Sequence, residues 1–240
     1  DGDLDLLVGN KLDPTTLRSA RLFRFRNDGT AKAPAFTLAD TLDMPGSYHF
    51  APALADLTND GLVDMLLGTW NEGVLFMRND GTRQEPRFVQ DTTRTITLTR
   101  GSNATPALVD IDDDGDLDVF IGEASGEVNF YRNVGSVSDP RFELVSDVFD
   151  GIDVGRRSHP AAVDIDDDGD ADLLFGGEAP AAVLYRNEGT RAAARFVADP
   201  TFELPLHPTA SPVFADVNAD GVPELITGGL SGGLTLYRRQ

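Results

Sequence analysis

Carboxylates are crowded into two short stretches of this 240-residue chain, VDIDDDGDLDVFIG (residues 109–122) and VDIDDDGDADLLFG (residues 163–176). Like charges this close repel one another, so the folded chain must either neutralise them or keep them fully solvated. In the pattern Asp-x-Asp-x-Asp-Gly-x-x-Asp, oxygens at positions 1, 3, 5 and 9 and the backbone carbonyl of position 7 can converge on one centre, and the glycine at position 6 permits the turn. A flexible cage of many carboxylates suits Ca²⁺ better than Mg²⁺, which requires tight octahedral geometry.

The acidic pattern occurs in four loops and is complete in two of them. The loops that begin at Asp56 and Asp216 carry Thr58, Asn218 and Glu224 in place of aspartate. We expect these two loops to bind a cation more weakly because they have less negative charge. With the position-7 residues counted as carbonyl donors, the predicted metal ligands are Asp56, Thr58, Asp60, Leu62, Asp64, Asp110, Asp112, Asp114, Asp116, Asp118, Asp164, Asp166, Asp168, Asp170, Asp172, Asp216, Asn218, Asp220, Val222 and Glu224.

Composition leaves two other interpretations of this acidity open. Asp and Gly are common in solvated Asx-turns that bind no ion, and a formal charge of −20 is also typical of halophilic adaptation. Recurrence of the loop favours metal binding. The charge argues against nucleic acid and anionic membrane surfaces as partners, and no apolar run approaches the ~18 residues of a membrane span. The chain has no cysteine, which excludes a disulfide framework and a thiolate metal site.

The acidic loops belong to an internal repeat with three markers in constant order. The first four Asp-Gly pairs are each followed by an Arg-Asn-x-Gly hairpin motif and by a phenylalanine nine residues after the hairpin asparagine, whereas the fifth pair is followed by YRRQ. We place the repeat units at about 1–46, 47–99, 100–154, 155–206 and 207–240, with the first and last incomplete. The markers are Gly2, Gly61, Gly115, Gly169 and Gly221, then Asn27, Asn79, Asn133 and Asn187, and then Phe36, Phe88, Phe142 and Phe196.

Each unit is predicted to form four short antiparallel strands, because runs rich in Val, Ile, Leu, Phe and Tyr alternate with Gly, Asp, Asn and Pro. No segment has sustained apolar residues at helical spacing, so we expect almost no helix. The predicted fold is an all-β β-propeller of four-stranded blades; an array of β-sandwiches is the alternative, but it does not require so constant a repeat. Five second and third strands but only four first and fourth strands fit either a five-bladed ring or a fragment of a larger ring. The first acidic loop is represented only by Asp1 and Asp5 and is expected to be empty unless a preceding segment supplies the other ligands.

The hairpin motif has a structural interpretation. Its glycine, for example Gly81, is predicted to supply a backbone conformation with positive φ, and its asparagine, for example Asn79, to hydrogen-bond the turn backbone. The phenylalanines are predicted to pack between blades.

These loops, the YRNxG hairpins and the PRF segments that follow them resemble FG-GAP/VCBS repeats, the blade units of integrin-α-like propellers. The resemblance covers essentially the whole chain. It implies a propeller with Ca²⁺ between the first and second strands of a blade, used for adhesion or ligand binding in secreted or cell-surface proteins, here bacterial. It does not define an activity, because such propellers also occur as lectins and as parts of lyases and phospholipases.

A ligand is expected on the face opposite the acidic loops, where the turns and crossovers differ between units. Trp70, the only tryptophan, can stack on a sugar ring while Glu123 and Glu178 accept hydroxyl hydrogen bonds. Alternatively, Trp70 covers a neighbouring blade and the glutamates are solvated. The candidate ligand-binding residues are Trp70, Glu123, Glu178, His49, His159 and His207.

No catalytic residue is predicted, because the chain lacks a nucleophile motif, a histidine metal cluster and a phosphate-binding glycine loop. Paired carboxylates occur only within the metal loops, where an ion would keep them from general acid work. The predicted function is a calcium-binding extracellular module that binds a glycan or a surface protein, without nucleic acid and without direct membrane insertion. The alternatives are the propeller part of a polysaccharide-degrading lyase or hydrolase, and a structural spacer in a large surface protein.

Overall fold

The computed structural model describes residues 2–12, 20–45, 48–99, 101–229 and 232–238. In these residues the chain forms five antiparallel sheets in which consecutive strands pair, and the helical content is one 3-10 turn at Phe149–Gly151. The strands are β1 (Leu6–Gly9), β2 (Leu22–Asn27) and β3 (Phe36–Leu42) in the first sheet; β4 (Ala51–Ala55), β5 (Asp64–Gly68), β6 (Val74–Asn79) and β7 (Phe88–Ile96) in the second; β8 (Thr105–Val109), β9 (Asp118–Gly122), β10 (Val128–Asn133) and β11 (Phe142–Ser146) in the third; β12 (His159–Val163), β13 (Asp172–Gly176), β14 (Val183–Asn187) and β15 (Phe196–Ala198) in the fourth; and β16 (Ser211–Ala215), β17 (Glu224–Gly228) and β18 (Leu234–Tyr237) in the fifth.

The five sheets are the blades of a β-propeller, which confirms the predicted all-β fold. Within the described residues, the three central blades have four strands and the two terminal blades have three. The acidic loops join the first strand of a blade to the second, and the hairpins join the third to the fourth. Each marker phenylalanine is the first residue of an outermost strand, namely β3, β7, β11 or β15.

Successive blades pack face to face through apolar clusters. Between the second and third blades, Leu66 and Phe76 contact Val119 and Ile121, and all four side chains are buried. Because a central blade is covered on both faces, every residue of β5, β9 and β13 is buried. This explains why those strands are apolar at both odd and even positions.

A glycine at the end of each second strand sets the distance to the next blade. A Cβ on Gly68 would lie well under 3.0 Å from the carbonyl oxygen of Ala104, which immediately precedes β8. Among the residues that the structure describes, Gly228 of the last blade has only a Leu234 methyl near the corresponding position. The close approach recurs at Gly9, Gly68, Gly122 and Gly176.

The hairpin asparagine has its predicted role. Asn79 Oδ1 accepts hydrogen bonds from the Gly81 and Arg87 N–H groups at 2.9 and 3.0 Å, and the equivalent asparagines do the same. The prediction for the hairpin glycine is wrong, because none of these glycines has positive φ. Glycine is required there because a Cβ on Gly81 would collide with the Glu85 carbonyl oxygen.

Candidate metal centre

Four acidic loops lie at the ends of the blades, between β4 and β5, β8 and β9, β12 and β13, and β16 and β17. We name them by their residues: loops 56–64, 110–118, 164–172 and 216–224. Each turns through two left-handed residues, at position 4 and at the position-6 glycine. Asn59, Asp113 and Asp167 occupy position 4 in three loops, since Asn and Asp tolerate positive φ better than most side chains. Position 4 of loop 216–224 is Ala219, which also has positive φ although alanine tolerates it less well than asparagine or aspartate.

The aspartates at positions 1 and 5 hold the turn. In loop 164–172, Asp164 accepts hydrogen bonds from the N–H groups of Asp168 and Gly169 at 3.1 and 2.9 Å. Asp168 in turn accepts from the Asp170 N–H at 3.1 Å. These bonds direct several carboxylates toward the same side of the loop without any ion.

The carboxylate at position 9 joins each loop to the hairpin of its own blade. Asp118 Oδ1 accepts a hydrogen bond from the Asn133 N–H at 2.7 Å. Asp64 and Asp172 make the same bond to their hairpin asparagines, at 2.8 and 2.7 Å. Asp5 does so in the first blade, whereas Asp1 of that loop lies outside the described residues. The sequence analysis predicted position 9 only as a metal ligand and missed its hydrogen bond with the hairpin. The constant spacing of fifteen residues between position 9 and the hairpin asparagine was the signal for that bond.

Loop 110–118 contains several carboxylate oxygens that have no donor. Oδ1 of Asp110, Oδ1 of Asp112 and Oδ2 of Asp118 are buried without a hydrogen-bond partner. Carboxylate oxygens of Asp110, Asp112 and Asp114 lie within 4.8 Å of one another. Burial, opposed by the Asn133 hydrogen bond and reinforced by the charge of Asp112, raises the pKa of Asp118 to about 7. A hard cation with oxygen ligands matches this set of donor atoms.

Loop 164–172 also has six aspartates, and an arginine lies beside position 3 in both loops, since Arg132 is 3.2 Å from Asp112 Oδ2. The two loops differ in the donors to position 9. Its position-1, -3 and -5 carboxylates also converge within 4.8 Å. Arg186 donates to Asp166 Oδ2 at 2.6 Å, and Asp172 Oδ2 accepts the Ile165 N–H at 3.0 Å. Asp170 Oδ1 is buried without a partner. The loop therefore fits a cation, although part of its charge is already balanced.

The two variant loops are arranged differently at positions 3 and 9. In loop 56–64, the Thr58 hydroxyl donates to Asp64 Oδ2 at 3.0 Å. In loop 216–224, the Asn218 side-chain amide donates to Glu224, and the Arg238 guanidinium lies 3.9 Å from the same carboxylate. Neither loop, both of which are fully described, contains a buried oxygen without a partner or a convergent group of three carboxylates.

On the opposite face, Trp70 is 44% exposed and makes an edge contact with Tyr48, which is 38% exposed, with ring centroids 5.7 Å apart. The backbone N–H of Trp70 also donates to the backbone carbonyl of Tyr48 at 2.9 Å. Sequence reasoning missed Tyr48, because nothing in the repeat marks this crossover residue. The two aromatic rings form an exposed apolar patch among polar turns.

The remaining candidates on that face are dispersed. Glu123 is buried and accepts a hydrogen bond from the Ser125 N–H at 2.8 Å, whereas Glu178 is paired with Arg157 at 3.1 Å. His207 is exposed. The rings of His49 and His159 lie 6.3 Å apart, and burial lowers their pKa values to about 4 and about 3. Both rings are therefore neutral at pH 7, and His159 Nδ1 lies 3.1 Å from the Thr105 hydroxyl.

Together, the blades and their aspartate loops define a repeat-built β-propeller with candidate cation sites at the first turn of the blade. A sequence model described as an FG-GAP-like repeat matches residues 1–67, 56–121, 110–175 and 164–227. The chain belongs to this family, which confirms the resemblance to FG-GAP repeats seen in the sequence. Three of the four matches start at position 1 of an acidic loop.

Repeats of this family are typical of extracellular proteins. No curated protein matched the chain. Among the described residues, no helix has the length and apolar character needed to cross a bilayer.

Proposed function

We propose that this chain is a calcium-stabilised extracellular propeller that acts as a binding module for glycans. The observation that supports calcium most strongly is the set of buried, donor-free oxygens on Asp110, Asp112 and Asp118. Without a cation, three such groups would each lack the partner that water provides in the unfolded chain.

The ligands of the best site would be Asp110, Asp112, Asp114 and Asp118 together with the Asp116 carbonyl. When bound, calcium supplies positive charge and a contact shared by residues from two strands. Asp110 follows β8 and Asp118 begins β9, so the ion would hold the two strand ends together. The hydrogen bond from Asn133 to Asp118 would extend this restraint to β10. Extracellular calcium near millimolar is sufficient to fill even modest sites of this kind.

Removal of calcium tests this part of the proposal. The chain should melt at a lower temperature in EDTA than in calcium at low ionic strength, and readdition of calcium should restore the melting temperature. The same measurement with magnesium controls for general charge screening. Identical melting curves in EDTA and calcium would contradict a stabilising ion.

The glycan part of the proposal rests on the exposed Tyr48–Trp70 pair. Aromatic rings with a polar surround offer an apolar face to a sugar ring and leave its hydroxyl groups for neighbouring polar groups. Glu178 and His207 lie on the same face and have exposed polar atoms. Surface proteins and adhesion partners are the alternative ligands, and they would also require this face.

Binding to a glycan array tests the ligand class. Trp70→Ala and Tyr48→Ala should each lower binding about tenfold or more, since burial of one aromatic ring contributes about 1.5–3 kcal/mol. Leu38→Ala, at a residue that is 56% exposed on β3 of the first blade, is the matched control and should bind normally. Absence of binding to every glycan would contradict a glycan ligand. New reducing or unsaturated ends after incubation with polysaccharides would instead favour the propeller of a degrading enzyme.

A further inference from the structure

The acidic loops divide into two kinds according to the side chain at position 3. In loops 110–118 and 164–172 this side chain is Asp112 or Asp166, which can only accept hydrogen bonds when ionised. In loops 56–64 and 216–224 it is Thr58 or Asn218, which can also donate one. The difference decides whether the position-9 carboxylate accepts a hydrogen bond from the position-3 side chain. In loop 164–172, Asp172 accepts the backbone N–H groups of Ile165 and Asn187, at 3.0 and 2.7 Å, and no bond from Asp166.

In the all-aspartate loop 110–118, the inner oxygen of position 9 has no donor. Asp118 Oδ1 is bound by the Asn133 N–H, but Asp118 Oδ2 is buried without a partner, as is Asp112 Oδ1 beside it in the loop. The Arg132 guanidinium lies 3.2 Å from the other oxygen of Asp112. Neither ionised carboxylate can donate a hydrogen bond to the two oxygens that remain. A cation can satisfy both oxygens at once.

In loop 56–64 the corresponding oxygen is already satisfied. Asp64 Oδ2 accepts the Thr58 hydroxyl at 3.0 Å and the Leu57 N–H at 3.2 Å, and Asp64 Oδ1 accepts the Asn79 N–H at 2.8 Å. Asp64 itself is fully buried, so these donors replace its lost water. An ion entering this loop would have to displace the hydroxyl donor and would gain one carboxylate fewer than in loop 110–118.

In loop 216–224, different residues also give both oxygens of the position-9 carboxylate a donor. The Asn218 amide donates to Glu224 Oε1, and the Val217 N–H donates to Glu224 Oε2 at 3.1 Å. Glutamate is one methylene longer than aspartate, and the glutamate carboxylate is buried at 4% exposure. Two unrelated residue pairs, Thr–Asp and Asn–Glu, thus form the same internal hydrogen bond.

We propose that the hydrogen bond from position 3 to position 9 takes the place of the ion in loops 56–64 and 216–224, so that the folded chain binds two calcium ions rather than four. This inference rests on the proposed function, because it concerns which loops use the ion. Position 3 is then the residue that determines whether a blade of this chain depends on calcium. The second and fifth blades keep their first turn without calcium, and the third and fourth blades require it.

Counting bound calcium tests the inference. The wild-type chain, stripped with EDTA and titrated with calcium, should bind two ions by isothermal titration calorimetry and by native mass spectrometry. Four ions would leave the proposed function intact and overturn the inference. No bound ion would contradict the proposed function itself.

Exchanging the position-3 residues tests the mechanism in both directions. Thr58→Asp should raise the count from two to three and lower the melting temperature in EDTA. Asp112→Thr should lower the count to one and raise the melting temperature in EDTA, because the new hydroxyl can donate to Asp118. Thr92→Asp adds the same charge to exposed residue 92 on β7 and should leave the count at two.

A folded Thr58→Asp protein that still binds two ions would overturn the inference. Should that variant not fold, Asn218→Asp is the independent equivalent in the fifth blade and carries the same expectation of a third ion.

Discussion

Asparagine in place of Asp118 is expected to change the stability of the chain in opposite directions with and without calcium. Asp118 is 1% exposed, one oxygen accepts the Asn133 N–H at 2.7 Å, and the other has no donor. An amide at this position keeps the acceptor for Asn133 and removes the buried charge. It also removes one negatively charged ligand from the candidate calcium site.

The magnitude follows from the pKa of the carboxyl group. Burial raises the pKa of Asp118 from 3.8 to about 7. Keeping such a group ionised at pH 8 costs at most about 4 kcal/mol relative to the unfolded chain. Relaxation and residual solvation reduce this, and we expect Asp118→Asn to recover about 2 kcal/mol in EDTA. An ion present at about 100 times its Kd stabilises by about 2.7 kcal/mol, and this contribution should be lost for the altered loop in calcium.

Thermal unfolding at pH 8, followed in parallel in EDTA and in calcium, is the assay. For a chain of this size about 1 kcal/mol corresponds to 2–4 °C. The variant should therefore melt several degrees above the wild type in EDTA, and the increase that calcium produces should shrink by several degrees. Asp113→Asn is the matched control, because it removes the same charge at position 4, where asparagine tolerates the observed positive φ. Equal shifts of Asp118→Asn in both buffers would refute the reasoning.

Three further predictions concern the parts of the blade that position the loops. His159 has a pKa of about 3 in the folded chain against 6.5 when unfolded. Its contribution to stability is therefore complete above pH 6.5 and falls by about 2 kcal/mol at pH 5. In denaturant titrations the stability of His159→Gln should depend less on pH than that of the wild type; an unchanged pH dependence, or an equal change in His207→Gln, would contradict this. Gly68→Ala should destabilise by about 3 kcal/mol through collision with the next blade. Gly228→Ala, which meets no backbone among the described residues, should change stability by less than about 1 kcal/mol in the same denaturant titration. Similar losses for the two variants would refute the role of close approach. Asn79→Ala removes the acceptor of two backbone N–H groups and should cost about 1–3 kcal/mol in urea unfolding, and no loss would show that water replaces it.

The fold was predictable because every blade needs the same kinds of residue at the same positions of its repeat unit. A blade covered on both faces needs apolar residues at consecutive positions, and β9 meets this need with buried residues throughout. The phenylalanine marker located the outermost strands, since Phe142 begins β11. The reason for the hairpin glycines was not predictable, because a close approach to Glu85 at Gly81 is a tertiary contact rather than a local turn preference.

The acidic loops were predictable as candidate cation sites, but the hydrogen bonds within them were not. Sequence spacing brings Asp110, Asp112 and Asp114 together, as the structure shows. Spacing does not reveal that Thr58 donates to Asp64, because that depends on the rotamer of a buried side chain. The opposite face was still harder to predict. Glu123 and Glu178 look equivalent in the sequence, yet Glu123 is buried by neighbouring segments.

The most direct test of the central claim is anomalous diffraction from crystals of this chain grown with calcium, collected at a long wavelength. The account predicts a strong anomalous peak bounded by Asp110, Asp112 and Asp118, a second in loop 164–172, and none in loop 56–64. Density for water alone among the aspartates of loop 110–118, at calcium concentrations near millimolar, would contradict it.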